Sequence, residues 1–217
     1  MAGVIQELQF CCANCDGDAT HILRKAYIVA RKLKLTDFQT WIDDELKGYA
    51  NTESMPEYRK VSGMIYALWI NGSSIPVQVP SEIMDALGHR WIVQSIPEIV
   101  SMIENNDNKS FHIPYVGNVN QMICELTGQE AQYYLSVGKD QFHGIIEEVI
   151  NTILRWSLLL EENGIEDDQL SFSLSDIEKA KAIPPSDYCP QLIFKESVGS
   201  VQIQMNNTNS TQQIDKQ

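Results

Sequence analysis

Cys12-x-x-Cys15 with His21 downstream is the spacing in this chain that most resembles a metal site. A closed zinc centre needs a full tetrahedral set of thiolate and imidazole ligands. Cys124 and Cys189 stand alone, so no second pair completes the set. The thiols are therefore read as groups on a helix face, and neither a metal nor another cofactor is expected. Asp43, Asp44 and Glu45 form an acidic run of the kind that metal-dependent phosphoryl transfer uses. On a helix, successive side chains diverge by about 100°, so these three cannot converge on one ion. Glu45 is instead expected to pair with Arg59, holding its helix to the loop that follows. Trp41, Tyr49 and Tyr58 are expected to pack around that joint. A helical ribonuclease would place an arginine shortly before a histidine, and His21, His89, His112 and His143 all lack one. There is no G-x-S-x-G elbow and no G-x-x-x-x-G-K-[ST] phosphate loop. No catalytic residue is assigned.

The surroundings of these residues narrow the class further. The 217 residues carry a formal net charge of −13, and 43% are hydrophobic. That is enough apolar material for a core, and the negative surface repels phosphate backbones, so nucleic acid is not an expected partner. No apolar run approaches the ~18 residues of a membrane span, and no basic, then apolar, leader opens the chain. A cytoplasmic location is expected, with the five cysteines as thiols.

Periodicity predicts an α+β protein, mostly helical, with an N-terminal helical hairpin, a small antiparallel sheet and a long C-terminal core helix. Val4, Ile5, Leu8, Cys11 and Cys12 share a helix face. A second helix is predicted over 20–34, with Leu23, Ala26, Tyr27, Ala30 and Leu33 inward and Arg24, Lys25, Arg31 and Lys32 on a solvated basic face. Thr36-Asp37-Phe38-Gln39 has the form of a capping box opening a third helix that Gly48 ends. The run 61–71, the turn Asn71-Gly72 and the return 75–79 predict a β-hairpin. Short helices are predicted over 81–87 and from Ser95, and strands over 110–116 and 132–137. The long helix spans 139–163, with Phe142, Ile145, Val149, Ile150, Ile153 and Leu160 along one stripe. Ser175-Asp176-Ile177-Glu178 is read as the cap of one more.

Three segments follow from composition. Residues 1–183 read as a globular domain, 184–197 as a proline-containing linker after Pro184-Pro185, and 198–217 as a tail. In the tail, Val201, Ile203 and Met205 alternate with Gln202 and Gln204, strand-like, before a polar, disordered end. A lone strand is not stable, so the tail is expected to pair with its own domain's sheet or with another copy, and the protein is expected to be a homo-oligomer.

The segment 21–59 carries a resemblance. It contains Leu23-Arg-Lys-Ala26, then Trp41-Ile-Asp-Asp-Glu45-Leu46-Lys-Gly48-Tyr49, then Pro56-Glu-Tyr58-Arg59. These blocks resemble the AbiTii domain of bacterial abortive-infection systems. Looser similarity continues through 94–98, 158–165 and 171–173. The cysteines near residue 12 have no counterpart in that pattern. The resemblance implies anti-phage defence by abortive infection, with Trp41, Glu45, Leu46, Gly48, Tyr49, Pro56, Tyr58 and Arg59 as a structural motif. Two mechanisms then compete. One is an interaction module that senses infection, adapts to a partner or assembles with itself. The alternative is a cryptic metal-dependent nuclease or other toxic enzyme.

Overall fold

Spacing of apolar side chains at helical and strand periods builds two compact units in the computed structural model, which describes residues 3–14, 18–53, 55–165 and 170–189. The first unit lies within residues 1–54 and 149–217, the second within 55–148.

In the first unit, α1 (Val4–Ala13) buries Ile5, Leu8 and Cys12. α2 (Ala19–Lys32) is opened by Asp18, whose carboxylate accepts from the Thr20 amide at 2.9 Å. Leu33 to Leu35 turn the chain into α3 (Thr36–Lys47), giving the expected helical hairpin. Lys34 takes φ +58° in that turn, and the Leu35 amide bonds the Ala30 carbonyl at 3.0 Å. The predicted capping box does not form. Leu35 is the N-cap, so Thr36 already lies inside the helix, and the Gln39 side chain donates through Nε2 to the Ala30 carbonyl at 3.3 Å. The tight turn starts α3 one residue before a threonine cap would allow. Gly48, at φ +87°, ends α3 as predicted, its N–H bonding the Asp44 carbonyl.

The long helix is α7 (Lys139–Glu162), which contributes its second half to this unit. Val149, Ile153, Trp156 and Leu160 are fully buried. Gln9 ties α1 to α7 by donating to the Ser157 carbonyl at 3.2 Å and to Glu161 at 3.0 Å. Lys25 joins α2 to α1 through Glu7 at 3.1 Å. α8 (Leu174–Ala182) is capped by Ser173, two residues before the predicted cap. Ser173 and Asp176 make the reciprocal box, because Asp176 sits at the third helical position and its carboxylate reaches back to the Ser173 amide at 2.8 Å. Beyond it, a 3-10 turn at Pro185–Asp187 delivers Tyr188 and Cys189 into the core. Residues 190–217, including the predicted tail strand, lie outside the described residues.

In the second unit, the predicted run 61–71 divides at Gly63 into β1 (Lys60–Ser62) and β2 (Met64–Leu68). A Cβ on Gly63 would stand 2.3 Å from the Ser136 carbonyl oxygen, so only glycine lets the strands approach here. The Asn71-Gly72 turn leads to β3 (Ser74–Pro76), with Gly72 at φ +81° and Asn71 Oδ1 accepting from the Ser73 amide at 3.0 Å. α4 (Ser81–Leu87) precedes β4 (His89–Trp91), which pairs antiparallel with β1. α5 (Ile96–Glu104) carries the predicted Ser95–Glu98 capping box. β5 (Ser110–Pro114) and β6 (Gln132–Gly138) flank α6 (Asn118–Thr127). The main sheet is antiparallel throughout, in the order β3-β2-β6-β5. Its inner face is Ile65, Ala67, Tyr133, Leu135 and Val137, all buried. Its outer face carries Met64, Leu68 and the ring series Tyr66, Tyr134 and His112, with centroids 5.6 and 4.3 Å apart.

Candidate functional site

α3 presents the first half of the motif. Glu45 falls one helical turn before Tyr49, so the phenol reaches back and donates to the Glu45 carboxylate at 2.7 Å. Glu45 is 0% exposed, and a carboxylate so placed needs hydrogen-bond donors to remain tolerable. Trp41 lies on the same helix and stacks on Phe38, centroids 5.1 Å apart and planes 14° from parallel. Leu46 is half-buried. The neighbouring Asp43 points elsewhere, as helical geometry requires, and pairs with Lys47 at 3.0 Å. That bond and the acid's charge raise the Lys47 pKa.

The second half of the motif is built differently. Pro56 is buried, and the Arg59 amide donates to its carbonyl at 3.0 Å, closing the 3-10 turn Glu57–Arg59. Tyr58 is half-buried. Arg59 is 0% exposed, and its Nη1 donates to the Ile92 carbonyl at 3.0 Å and to the Gln94 carbonyl. The guanidinium thereby fastens the end of the β1–β4 ladder, where the Ile92 amide returns a bond to the Arg59 carbonyl at 2.9 Å. Glu45 and Arg59 belong to different units, so their expected pairing stands as a reading of the sequence. Within each unit both are buried and bonded.

Of the cysteine-histidine candidate, Cys12 and His21 are among the described residues. Cys12 is buried in α1, and burial followed by the adjacent Cys11 pushes its thiol pKa up to about 12. His21 is exposed on α2, and Cys15 lies outside the described residues. Among the described residues, no three His, Cys, Asp or Glu side chains gather as metal ligands.

Sequence reasoning did not foresee the aromatic centre around Phe38. Besides Trp41, the ring meets Trp156 at 4.5 Å and Tyr188 edge-on at 5.2 Å. Burial drives the Tyr188 phenol well above its ordinary pKa. The Trp156 signal was available, since it falls on the stripe of Ile153 and Leu160. Tyr188 follows two prolines, which disguise it as linker. The Ile92 and Gln94 carbonyls that Arg59 binds gave no signal, because main-chain carbonyls carry no sequence mark.

The model of the AbiTii family matches residues 3–184. The chain belongs to the AbiTii family. Its role is accordingly anti-phage defence by abortive infection. Neither the curated proteins nor the solved structures gave a match. The AbiTii match spans both halves of the motif and both capping boxes, and it stops just before the Pro185–Asp187 turn. Among the described residues, no helix of this AbiTii chain is long and apolar enough to cross a membrane.

Proposed function

We propose that the protein acts in abortive infection as a cytoplasmic interaction module, one that senses infection or engages a further component and assembles with itself. The observation that carries this reading is the burial of the motif. Both of its charged groups are buried and hydrogen-bonded: Glu45 accepts from Tyr49, and Arg59 donates to two carbonyls. Groups so buried hold a fold together and are poorly placed to meet a substrate. Apolar side chains face solvent in the second unit instead. Ile70, at the tip of the β2–β3 hairpin, is wholly exposed, and Val116 is 71% exposed. Both side chains are open to contact with a partner.

The test couples two measurements on the purified full chain. Cellular RNA incubated with the protein, with and without divalent metal, is expected to stay intact. In infected cells, Ile70→Ser is expected to weaken protection from phage while the protein melts like wild type. Degradation of RNA by wild type would replace this reading with the nuclease.

A further inference from the structure

Antiparallel strands point the N–H and C=O of alternate residues to opposite sides, so register decides which residues of an edge strand are open. Around β5, the Lys139 amide bonds the Lys109 carbonyl and the Tyr115 amide bonds the Tyr133 carbonyl, each at 2.9 Å. Residues 109, 111, 113 and 115 therefore bond inward to β6, and Ser110, His112 and Pro114 face outward. Proline has no N–H, so the open run is Ser110 and His112, plus the Pro114 carbonyl.

The other edges are obstructed. On β3, the Trp69 amide meets the Ser73 carbonyl and the Val77 amide meets the Ile65 carbonyl, which leaves Ser74 and Pro76 outward. Proline at that second position stops a ladder after one residue. On β1, the outward Ser62 is already paired by the Gln141 side chain, which accepts from its amide at 2.8 Å and donates to its carbonyl at 2.6 Å. On β4, the Arg90 guanidinium donates to the carbonyl of outward-facing His89 at 3.1 Å.

We infer that the outer edge of β5 receives the tail segment 198–205 of a second copy of this chain as an added strand. The inference rests on the self-assembly reading above. The described residues end at Cys189, and eight residues, 190–197, separate it from the segment, a span of up to about 27 Å for a fully extended chain. The side chains match in phase. Phe111 and Ile113 are half-buried on the inner side of β5, and Ser110 and His112 lie on the outer face. An added strand can set Val201 and Ile203 beside Phe111 and Ile113. Gln202 and Gln204 then lie beside Ser110 and His112, with their main-chain groups turned toward β5.

The experiment uses the full chain. Light scattering of wild type is expected to give a mass above the monomer that falls on dilution. His112→Pro removes one outward donor and is expected to weaken association about tenfold, the loss of a main-chain bond. Because that variant can disturb β5, a second test traps the contact. Protein carrying H112C is mixed with protein carrying Q202C or Q204C, oxidised, and the crosslink identified by peptide mass. A crosslinked dimer from either mixture, with little from I203C, supports the inference. A crosslink confined within one chain of the H112C/Q202C double variant, or equal trapping at 203, overturns it. If wild type is oligomeric but traps nothing at 112, the edge assignment falls while self-assembly stands. A monomer at every concentration removes self-assembly, and the inference with it.

Discussion

Replacing Phe38 by alanine removes the ring on which three aromatic side chains of the first unit converge. Phe38 is 1% exposed, so almost its whole side chain leaves a packed interior. Phe→Ala in such a site costs about 3–5 kcal/mol. The contacts with Trp41, Trp156 and Tyr188, at 4.5 to 5.2 Å, each add about 0.5–1.5 kcal/mol beyond burial. Phe38→Ala therefore belongs at the upper end, about 4–5 kcal/mol. For a chain of this length, each kcal/mol moves Tm by about 2–4 °C, which gives a fall of about 8–20 °C. Phe38→Leu keeps most of the burial and loses the ring contacts, about 1.5 kcal/mol at the lower figure for each of the three, so its fall should be about 3–6 °C. The assay is thermal unfolding followed by circular dichroism at one fixed concentration, because assembly makes Tm depend on concentration. The reasoning fails if Phe38→Ala melts within about 2 °C of wild type, or if the leucine variant falls as far as the alanine one.

Other expected outcomes follow from single contacts. Gly63→Ala drives a Cβ into the Ser136 carbonyl at 2.3 Å and should cost about 1–3 kcal/mol in denaturant unfolding. Gly144→Ala in α7 meets no atom within 4 Å and should stabilise by about 0.5–1 kcal/mol, so the two variants should shift the midpoint in opposite directions. The Ser95 and Ser173 boxes lower the pKa of Glu98 and Asp176 through the bonds those carboxylates accept. A depressed acid stabilises the fold above its ordinary pKa and loses that contribution as pH falls through the depressed value. Ser95→Ala and Ser173→Ala should therefore reduce stability at neutral pH and flatten its decline with acid, as read by Tm against pH. Cys12, with its thiol raised to about 12, should resist iodoacetamide at pH 8 (an approximate working pH) until the protein is unfolded; labelling in the native protein, read by peptide mass, would contradict its burial.

Much of this architecture is legible in the residues, and the exceptions have physical causes. The stripe on α7 and the Ser95 box are local patterns whose meaning does not depend on distant partners. The Thr36 box misleads because a left-handed Lys34 begins α3 a residue early and sends Gln39 back to Ala30. The Ser175 reading misses the cap at Ser173 because S-x-x-E and S-x-x-D compete within two residues. α6 and β4 escape notice altogether. α6 buries only Ile123, and it is held by Asn120, whose side chain accepts from the Tyr133 amide at 2.8 Å. β4 is three half-buried residues whose strand character comes from pairing with β1. At the motif, burial of Glu45 and its bond from Tyr49 follow from helical spacing. The grip of Arg59 on the Ile92 and Gln94 carbonyls depends on a fold that brings residues 33 and 35 positions away to the guanidinium.

We propose that the AbiTii motif builds the fold and takes no part in chemistry. The most direct test of that claim measures phage protection and Tm together for Glu45→Gln, Tyr49→Phe, Arg59→Gln and Trp41→Phe. Each removes or weakens a buried contact, so stability should fall by about 1–3 kcal/mol where a polar group is left unsatisfied. Protection should decline in step with Tm across the series and return at lower growth temperature. A variant that melts like wild type, accumulates normally and still loses protection would contradict the claim.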